Sequence, residues 1–221
     1  MKDPHTDAAP VEFTVVRHGQ TAENARGILQ GWLDTPLDER GRRQSRAAAE
    51  RLRNEKFDLL ASSDLRRALE SAAPIGELLN LPIEKLPALR EWHLGELEGR
   101  PVGELQKEFP EIMDAFLRDT DEELRVPGGE SHAAFFARVA ACLDALAQAN
   151  PGRRLLLVTH GGVLRAVYRH VAGFVPAGRL IPQTGNACIC RFCYRSGEWQ
   201  LTCWNDLTHL KDVGYRASLT F

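Results

Sequence analysis

An α/β fold built on a largely parallel sheet is predicted by two features of the chain. Strand-like and helix-like segments alternate over residues 11–86 in the order strand, helix, strand, helix, strand. Two strongly apolar runs, at 11–16 and 154–159, stop abruptly at a histidine followed by glycine: His18-Gly19 and His160-Gly161-Gly162. Buried strands that end on titratable groups deliver them to the carboxyl edge of an open sheet, where such folds bind ligands. The 221 residues suit one substantial domain. Their 43% hydrophobic and 26% charged content is ordinary for a globular chain.

The first run leads into Val15-Val16-Arg17-His18-Gly19-Gln20-Thr21-Ala22-Glu23-Asn24. Two cationic groups side by side at a strand end make sense where an anion sits, with His18 as candidate nucleophile and Arg17 as a clamp on the charge. Residues 26–37 are rich in turn formers and read as a loop. Asp38 caps a predicted helix running to residue 54, crowded by Arg40, Arg42, Arg43, Arg46, Arg51 and Arg53 over a thin apolar stripe. With Glu50 and Glu55 nearby and a net charge of −2, that surface reads as a solvated face, not a nucleic-acid site.

Residues 57–62 read as a second strand, and Ser63-Asp64 as the cap of a helix that Pro74 is expected to kink or divide. Residues 81–86 suggest a third strand. The rhythm then breaks over residues 89–130, with short helix-like pieces at 103–109 and 111–119, an acidic patch, and Pro127-Gly128-Gly129. An excursion of this kind, about 92–130, reads as a lid over a site. A helix at 130–150 follows, with Phe136, Val139, Ala140, Leu143, Leu146 and Ala147 on one face. After the strand at 154–159 come a helix at 163–171 and a closing hairpin, 185–195 with 199–204, around Ser196-Gly197.

The five cysteines include Cys188, Cys190 and Cys193, a spacing that puts the first two on one strand face and the third on the other. Small apolar strand residues with free thiols are expected, not metal ligands. No apolar run approaches a membrane span, and residues 1–10 are polar. The expectation is a short disordered leader on a cytoplasmic protein with no membrane partner.

Two strand-end histidines (His18, His160), two arginines (Arg17, Arg67) and a loop carboxylate (Glu91) suit a phosphoryl group, which spreads charge over three oxygens during transfer. No Walker loop or carboxylate cluster is present to hold magnesium, so the expected chemistry needs no metal and no cofactor. Arg17-His18-Gly19 with Thr21 and Asn24, Ser63-Asp64-Leu65-Arg66-Arg67-Ala68, Leu89-Arg90-Glu91 and Thr159-His160-Gly161-Gly162 together resemble the histidine phosphatase superfamily. That is the clan of cofactor-dependent phosphoglycerate mutases and related phosphatases.

The resemblance implies a mixed, mostly parallel six-stranded sheet flanked by helices in a single domain over residues 11–221. It implies that His18 is phosphorylated on its distal nitrogen while backbone holds the other. Arg17, Arg67 and His160 would line the phosphate pocket, and Asn24, Gln30, Gly31 and the Gly161 amide would assist. Glu91 would act as acid and then base, ahead of Glu96 and Glu98 by motif position. Arg66 reads as a solvated neighbour. His93, His132, His170 and His209 read as surface or packing residues, although Trp92, His93 and His132 fall where a lid could touch substrate.

Hydrolysis and mutase chemistry share the phosphohistidine. A mutase needs extra cations for a second phosphate, whereas residues 100–130 carry few cations, and the excursion offers Trp92, Leu94, Phe109, Ile112, Met113 and Phe116. The stretch from Glu91 to His160 is shorter than in glycolytic mutases, and Gln30-Gly31 stands where those tend to carry Thr-Gly. Glu98-Gly99-Arg100 and residues 127–131 are similar to ribazole-phosphate and broad-specificity phosphatases. The expectation is a phosphatase acting on a small-molecule phosphate ester, as a monomer or homodimer. A mutase is the alternative, and a scaffold that has lost its chemistry a third reading.

Overall fold

A computed structural model describes residues 9–118, 124–173 and 183–214. Six strands, β1 (Val11–Arg17), β2 (Leu59–Ser62), β3 (Ile83–Lys85), β4 (Arg154–Thr159), β5 (Ile189–Arg195) and β6 (Glu198–Asp206), form one sheet in the order β3-β2-β4-β1-β5-β6. The first four in this order run parallel, and β5 and β6 add an antiparallel hairpin. Its turn works because Ser196 and Gly197 both take positive φ, which suits the right-handed twist of the flanking strands. The expected mixed, mostly parallel six-stranded sheet is the observed one.

The helices are α1 (Ala22–Arg26), α2 (Glu39–Leu52), α3 (Arg66–Leu79), α4 (Val102–Glu108), α5 (Pro110–Arg118), α6 (His132–Ala149) and α7 (Gly161–Ala172). Strand alternation sorts side chains between two cores. Val16, Leu60, Leu156 and Val158 pack with Ala48, Leu52, Ala72 and Ile75 of α2 and α3. Val15, Leu155 and Leu157 pack on the other face with Val139 and Leu143 of α6, Leu164 and Val167 of α7, and residues of the 92–126 stretch. The sheet is therefore covered on both sides, as near-continuous apolar parallel strands require.

Several local expectations need correction. Pro74 does not divide α3, which runs unbroken because Ala68 and Ala72 before it and Ile75 and Gly76 after it bury against the same layer. Ser63 and Asp64 do not cap that helix. Its N-cap is Leu65, with no side-chain cap bond, and Asp64 instead holds Arg90 through two bonds of 2.7 and 2.6 Å. On α6, Phe135 and not Phe136 enters the core, where it stacks on Trp92. The third strand is shorter than expected, only Ile83–Lys85. Most of the expected leader (residues 1–8) and the acidic patch (119–123) lie outside the described residues.

Candidate active site

The site is assembled by sheet register. Adjacent parallel strands β1 and β4 pair Arg17 with Thr159, and the His18 amide donates to the Thr159 carbonyl at 2.8 Å. The next residue on each chain is then delivered to one point, and the His18 and His160 rings stand 5.2 Å apart between centroids. Both are buried. His18 Nδ1 lies 2.7 Å from the Gly19 carbonyl oxygen, and a carbonyl can only accept, so Nδ1 carries the proton. Nε2 is thereby left with its lone pair. Gly19 itself allows no side chain, because a Cβ there would collide with the Gly41 backbone, and its amide donates to Ser71 Oγ at 2.9 Å.

The positive charge is buried around these rings. Arg17, 1% exposed, donates from Nη1 to the Thr184 carbonyl, and Arg67, also 1% exposed, donates from Nη1 and Nη2 to the Leu33 and Gly31 carbonyls at 2.7 Å each. His160 Nε2 meets Ser63 Oγ at 2.7 Å. Arg67 Nε and His160 Nδ1 are buried and meet no hydrogen-bond partner among the described residues. Unsatisfied buried polar groups are costly, so atoms of this kind mark a place for a ligand.

Burial, then Arg67 and Arg17, hold His18 well below the usual imidazole range, and burial, Arg67 and His18 do the same to His160. Burial also pushes Arg67 down to about 10, still cationic at neutral pH. The result is a neutral imidazole inside a cationic pocket.

Glu91 faces the same cleft. Its Oε2 accepts from the Gly162 amide and its Oε1 from the Trp92 amide, both at 2.9 Å. Its backbone carbonyl is held by Trp32 Nε1 at 2.7 Å and Arg138 Nη2 at 3.2 Å, while Arg138 Nη1 also donates to the Ala88 and Arg90 carbonyls. The competing carboxylates are accounted for otherwise. Glu96 is exposed, and Glu98 Oε1 accepts from the Trp32 and Leu94 amides, which makes it a loop brace.

The cleft, about 600 Å³ with its open mouth, is lined by His18, Gln30, Gly31, Arg67, Glu91 and Gly162 on one side. Gln30 Oε1 accepts from Thr21 and Thr35 hydroxyls, which turns its amide nitrogen the other way. Gly31 adopts φ +50°, and a Cβ there would strike the Glu98 carboxylate. Trp92 lines the cleft as well.

Five candidates are not among the residues that line it, two of them being the buried Arg17 and His160 described above. Asn24 sits in the capping box of α1, its amide oxygen accepting from the Thr21 amide and Asn186 Nδ2. Gly161 lies against the Arg17 guanidinium. His93 packs against Trp32 with ring centroids 4.6 Å apart and planes tilted by 30°. Arg66 is exposed and paired with Glu70, as expected.

Sequence reasoning missed Ser63, Gly162 and Arg138. Ser63 follows β2, whose carboxyl end lies at the same sheet edge as those of β1 and β4, and that shared edge was the available signal. Gly162 sat within a motif already noted. Nothing in the sequence marks Arg138. The cysteines are free thiols, Cys188 and Cys190 buried, and no cluster of His, Cys, Asp and Glu fit for a metal occurs among the described residues.

A family model of the histidine phosphatase superfamily (branch 1) matches residues 13–207. The chain belongs to that superfamily. It is 36% identical over 217 residues to a metal-independent phosphoserine phosphatase of Arabidopsis thaliana, covering 97% of this chain and 89% of the relative. A second Arabidopsis thaliana relative, phosphoglycerate mutase-like protein 4, is 35% identical over 99% of this chain and 96% of its own length. Among solved structures, a mycobacterial glucosyl-3-phosphoglycerate phosphatase complexed with VO3 superposes with a TM-score of 0.80 at 34% identity, covering 88% of this chain and 98% of the other. This histidine phosphatase thus has relatives named for phosphatase action as well as for likeness to mutases.

Proposed function

We propose that this chain hydrolyses a small-molecule phosphate monoester through a phosphohistidine on His18. The observation that carries the reading is the bare Nε2 of His18 in one site with two buried nitrogens that meet no partner among the described residues, Arg67 Nε and His160 Nδ1. A phosphate anion offers oxygens to Arg67 Nε and, in its Nδ1–H tautomer, to His160, and a phosphorus atom to the nucleophile.

In the first step the Nε2 lone pair attacks phosphorus in line, the P–O ester bond breaks, and the Glu91 carboxyl gives its proton to the departing alkoxide. In the second step Glu91, now a carboxylate, takes a proton from water. That water's oxygen attacks phosphorus, and the P–N bond returns its electrons to His18. Arg17, Arg67 and His160 hold the non-bridging oxygens throughout, because their positions are fixed by backbone carbonyls and by Ser63 before substrate arrives. Gln30 and Gly31, which line the cleft, are assigned supporting contacts to the same anion, and Asn24 and the Gly161 amide would have to reach it from outside that lining.

Hydrolysis is favoured over mutase action by the far side of the cleft. Beyond the phosphate-facing groups it is lined mainly by apolar and aromatic side chains, with Arg165 as its strong cation among the described residues. In the stretch assigned as the lid, Arg100 is paired with Glu108 and Arg125 is exposed. A second phosphate finds little to hold it.

No described helix is long and apolar enough to cross a membrane, and the free thiols suit a reducing, cytoplasmic compartment. The partner assigned is the small-molecule ester, with the chain acting as a monomer or homodimer. Replacing His18 by Ala should lower kcat on an aryl phosphate by about 10⁴-fold or more. Unchanged turnover would refute the assignment.

A further inference from the structure

Burial, Arg67 and His18 keep His160 a neutral imidazole, with one N–H and one lone pair. Which nitrogen holds the proton decides what the ring offers an anion. Its Nε2 lies 2.7 Å from Ser63 Oγ, and its Nδ1 meets no partner among the described residues. The sheet sets this pair. β2 and β4 place Ser62 opposite Val158, and the Ser63 amide donates to the Val158 carbonyl at 3.0 Å. The Ser62 hydroxyl donates to the Ser63 carbonyl at 2.8 Å. Ser63 and His160 therefore meet at two neighbouring strand ends, both fully buried.

The hydrogen bonds around Ser63 Oγ select the tautomer. A hydroxyl has one proton to give and two lone pairs with which to accept. The Leu65 amide, at 3.3 Å, can only donate, so it occupies one lone pair. His160 Nε2 is then the one acceptor within reach of the hydroxyl proton among the described residues. With the imidazole proton on Nδ1, Ser63 donates to Nε2, and the N–H at Nδ1 is left for an anion to complete. With that proton on Nε2, the serine would receive two N–H groups and its own proton would be stranded in a buried site. A bare lone pair at Nδ1 would then repel any bound anion.

Resting on the hydrolase reading, we infer that Ser63 is a positioning residue that fixes His160 as its Nδ1–H tautomer and so makes a neutral ring a hydrogen-bond donor to the phosphoryl oxygens. His18 carries its proton on the same nitrogen, but there the Gly19 carbonyl takes the N–H and the lone pair is left for phosphorus. One tautomer thus gives the site opposite poles, a nucleophile after β1 and a donor after β4, with ring centroids 5.2 Å apart. A donor fixed in advance needs no reorientation as charge builds on the transferring group.

The test is NMR of the full chain carrying isotopically labelled histidine nitrogens, with and without saturating inorganic phosphate. His160→Gln assigns the resonances, and long-range N–H couplings report which ring nitrogen is protonated. Wild-type His160 should carry its proton on Nδ1, and phosphate should shift that nitrogen. Ser63→Ala should lose the preference, raise Ki for inorganic phosphate about tenfold and lower kcat on an aryl phosphate about tenfold, the effect of one misdirected donor.

A wild-type His160 protonated on Nε2 would overturn the inference and leave the hydrolase standing, provided that turnover depends on His18. That spectrum decides by itself should Ser63→Ala not fold. A tautomer and an inhibition constant that do not move together in Ser63→Ala would also overturn it, because the serine would then act as structure alone. Failure of the hydrolase reading would show separately, as unchanged turnover in His18→Ala, and would remove both.

Discussion

The phosphate-facing and alcohol-facing halves of this cleft are built by opposite means. The first is made of strand ends. β1 and β4 are hydrogen-bonded neighbours in fixed register, so His18 and His160 meet because their strands meet. Arg67 and Glu91 are then tied to it by backbone contacts, through the Gly31 and Leu33 carbonyls and the Gly162 amide. The second half is made of Leu29 and of side chains from the 92–116 stretch, α6 and α7, with its rings packed on one another. A site fixed by sheet register keeps its chemistry while a neighbouring wall of rings can be repacked to change the alcohol. Common chemistry and variable specificity are thereby separated within one cleft.

If that contrast is right, damage to the first half should be severe and indifferent to the alcohol. Arg67→Ala should lower kcat about a thousandfold on any ester, since it removes a preorganised cation from the transferring group. A loss that varies strongly with the alcohol would blur the division. The Gly162 amide is the seam between the halves. A Cβ at residue 162 would run into the Glu91 carboxylate, so Gly162→Ala should lower kcat about a hundredfold for alkyl esters. In kcat/KM, which reports only the first step, the loss for nitrophenyl phosphate should be much smaller, because its leaving group needs no proton. Steady-state assays of both variants on both ester types decide this.

Legibility in the sequence follows the same division. Arg17, His18 and His160 were readable because an apolar run that stops on a charged group is unusual, and strand ends have predictable places. The sheet was readable for the same reason, its strands being buried on both faces. The ring wall was only half readable. Phe135 and Phe136 are neighbours on α6, and a one-residue rotation decides which one enters the core; contact with Trp92, far away in sequence, selects Phe135. Arg138 was invisible because its importance comes from the Ala88, Arg90 and Glu91 carbonyls, which belong to a loop without periodicity. Ser63 was read as a helix cap because serine does cap helices, and only β2's position in the sheet gives it to His160.

A smaller effect should appear in stability. His18 and His160 are both held well below the ordinary imidazole range by burial and by neighbouring arginines, so the folded protein stays unprotonated there while the unfolded chain titrates near 6.5. As pH falls below that value the unfolded state takes up protons that the folded state refuses. Stability should therefore drop toward acid by about 1.4 kcal/mol per pH unit for each histidine until the depressed folded values are reached. Denaturant midpoints measured from about pH 7 to about pH 5 should show the slope, and His160→Gln should remove roughly one proton's share of it. An unaltered slope in that variant would mean that His160 titrates normally.

The central claim is that phosphorus changes partners twice, with His18 Nε2 as the intermediate stop. A thiophosphate ester made chiral at phosphorus with sulfur and two oxygen isotopes, hydrolysed in water that carries the third isotope, reports this directly. Two in-line displacements predict that inorganic thiophosphate leaves with its configuration retained. Inversion would mean that water attacks the ester in a single step, and His18 would then be no nucleophile.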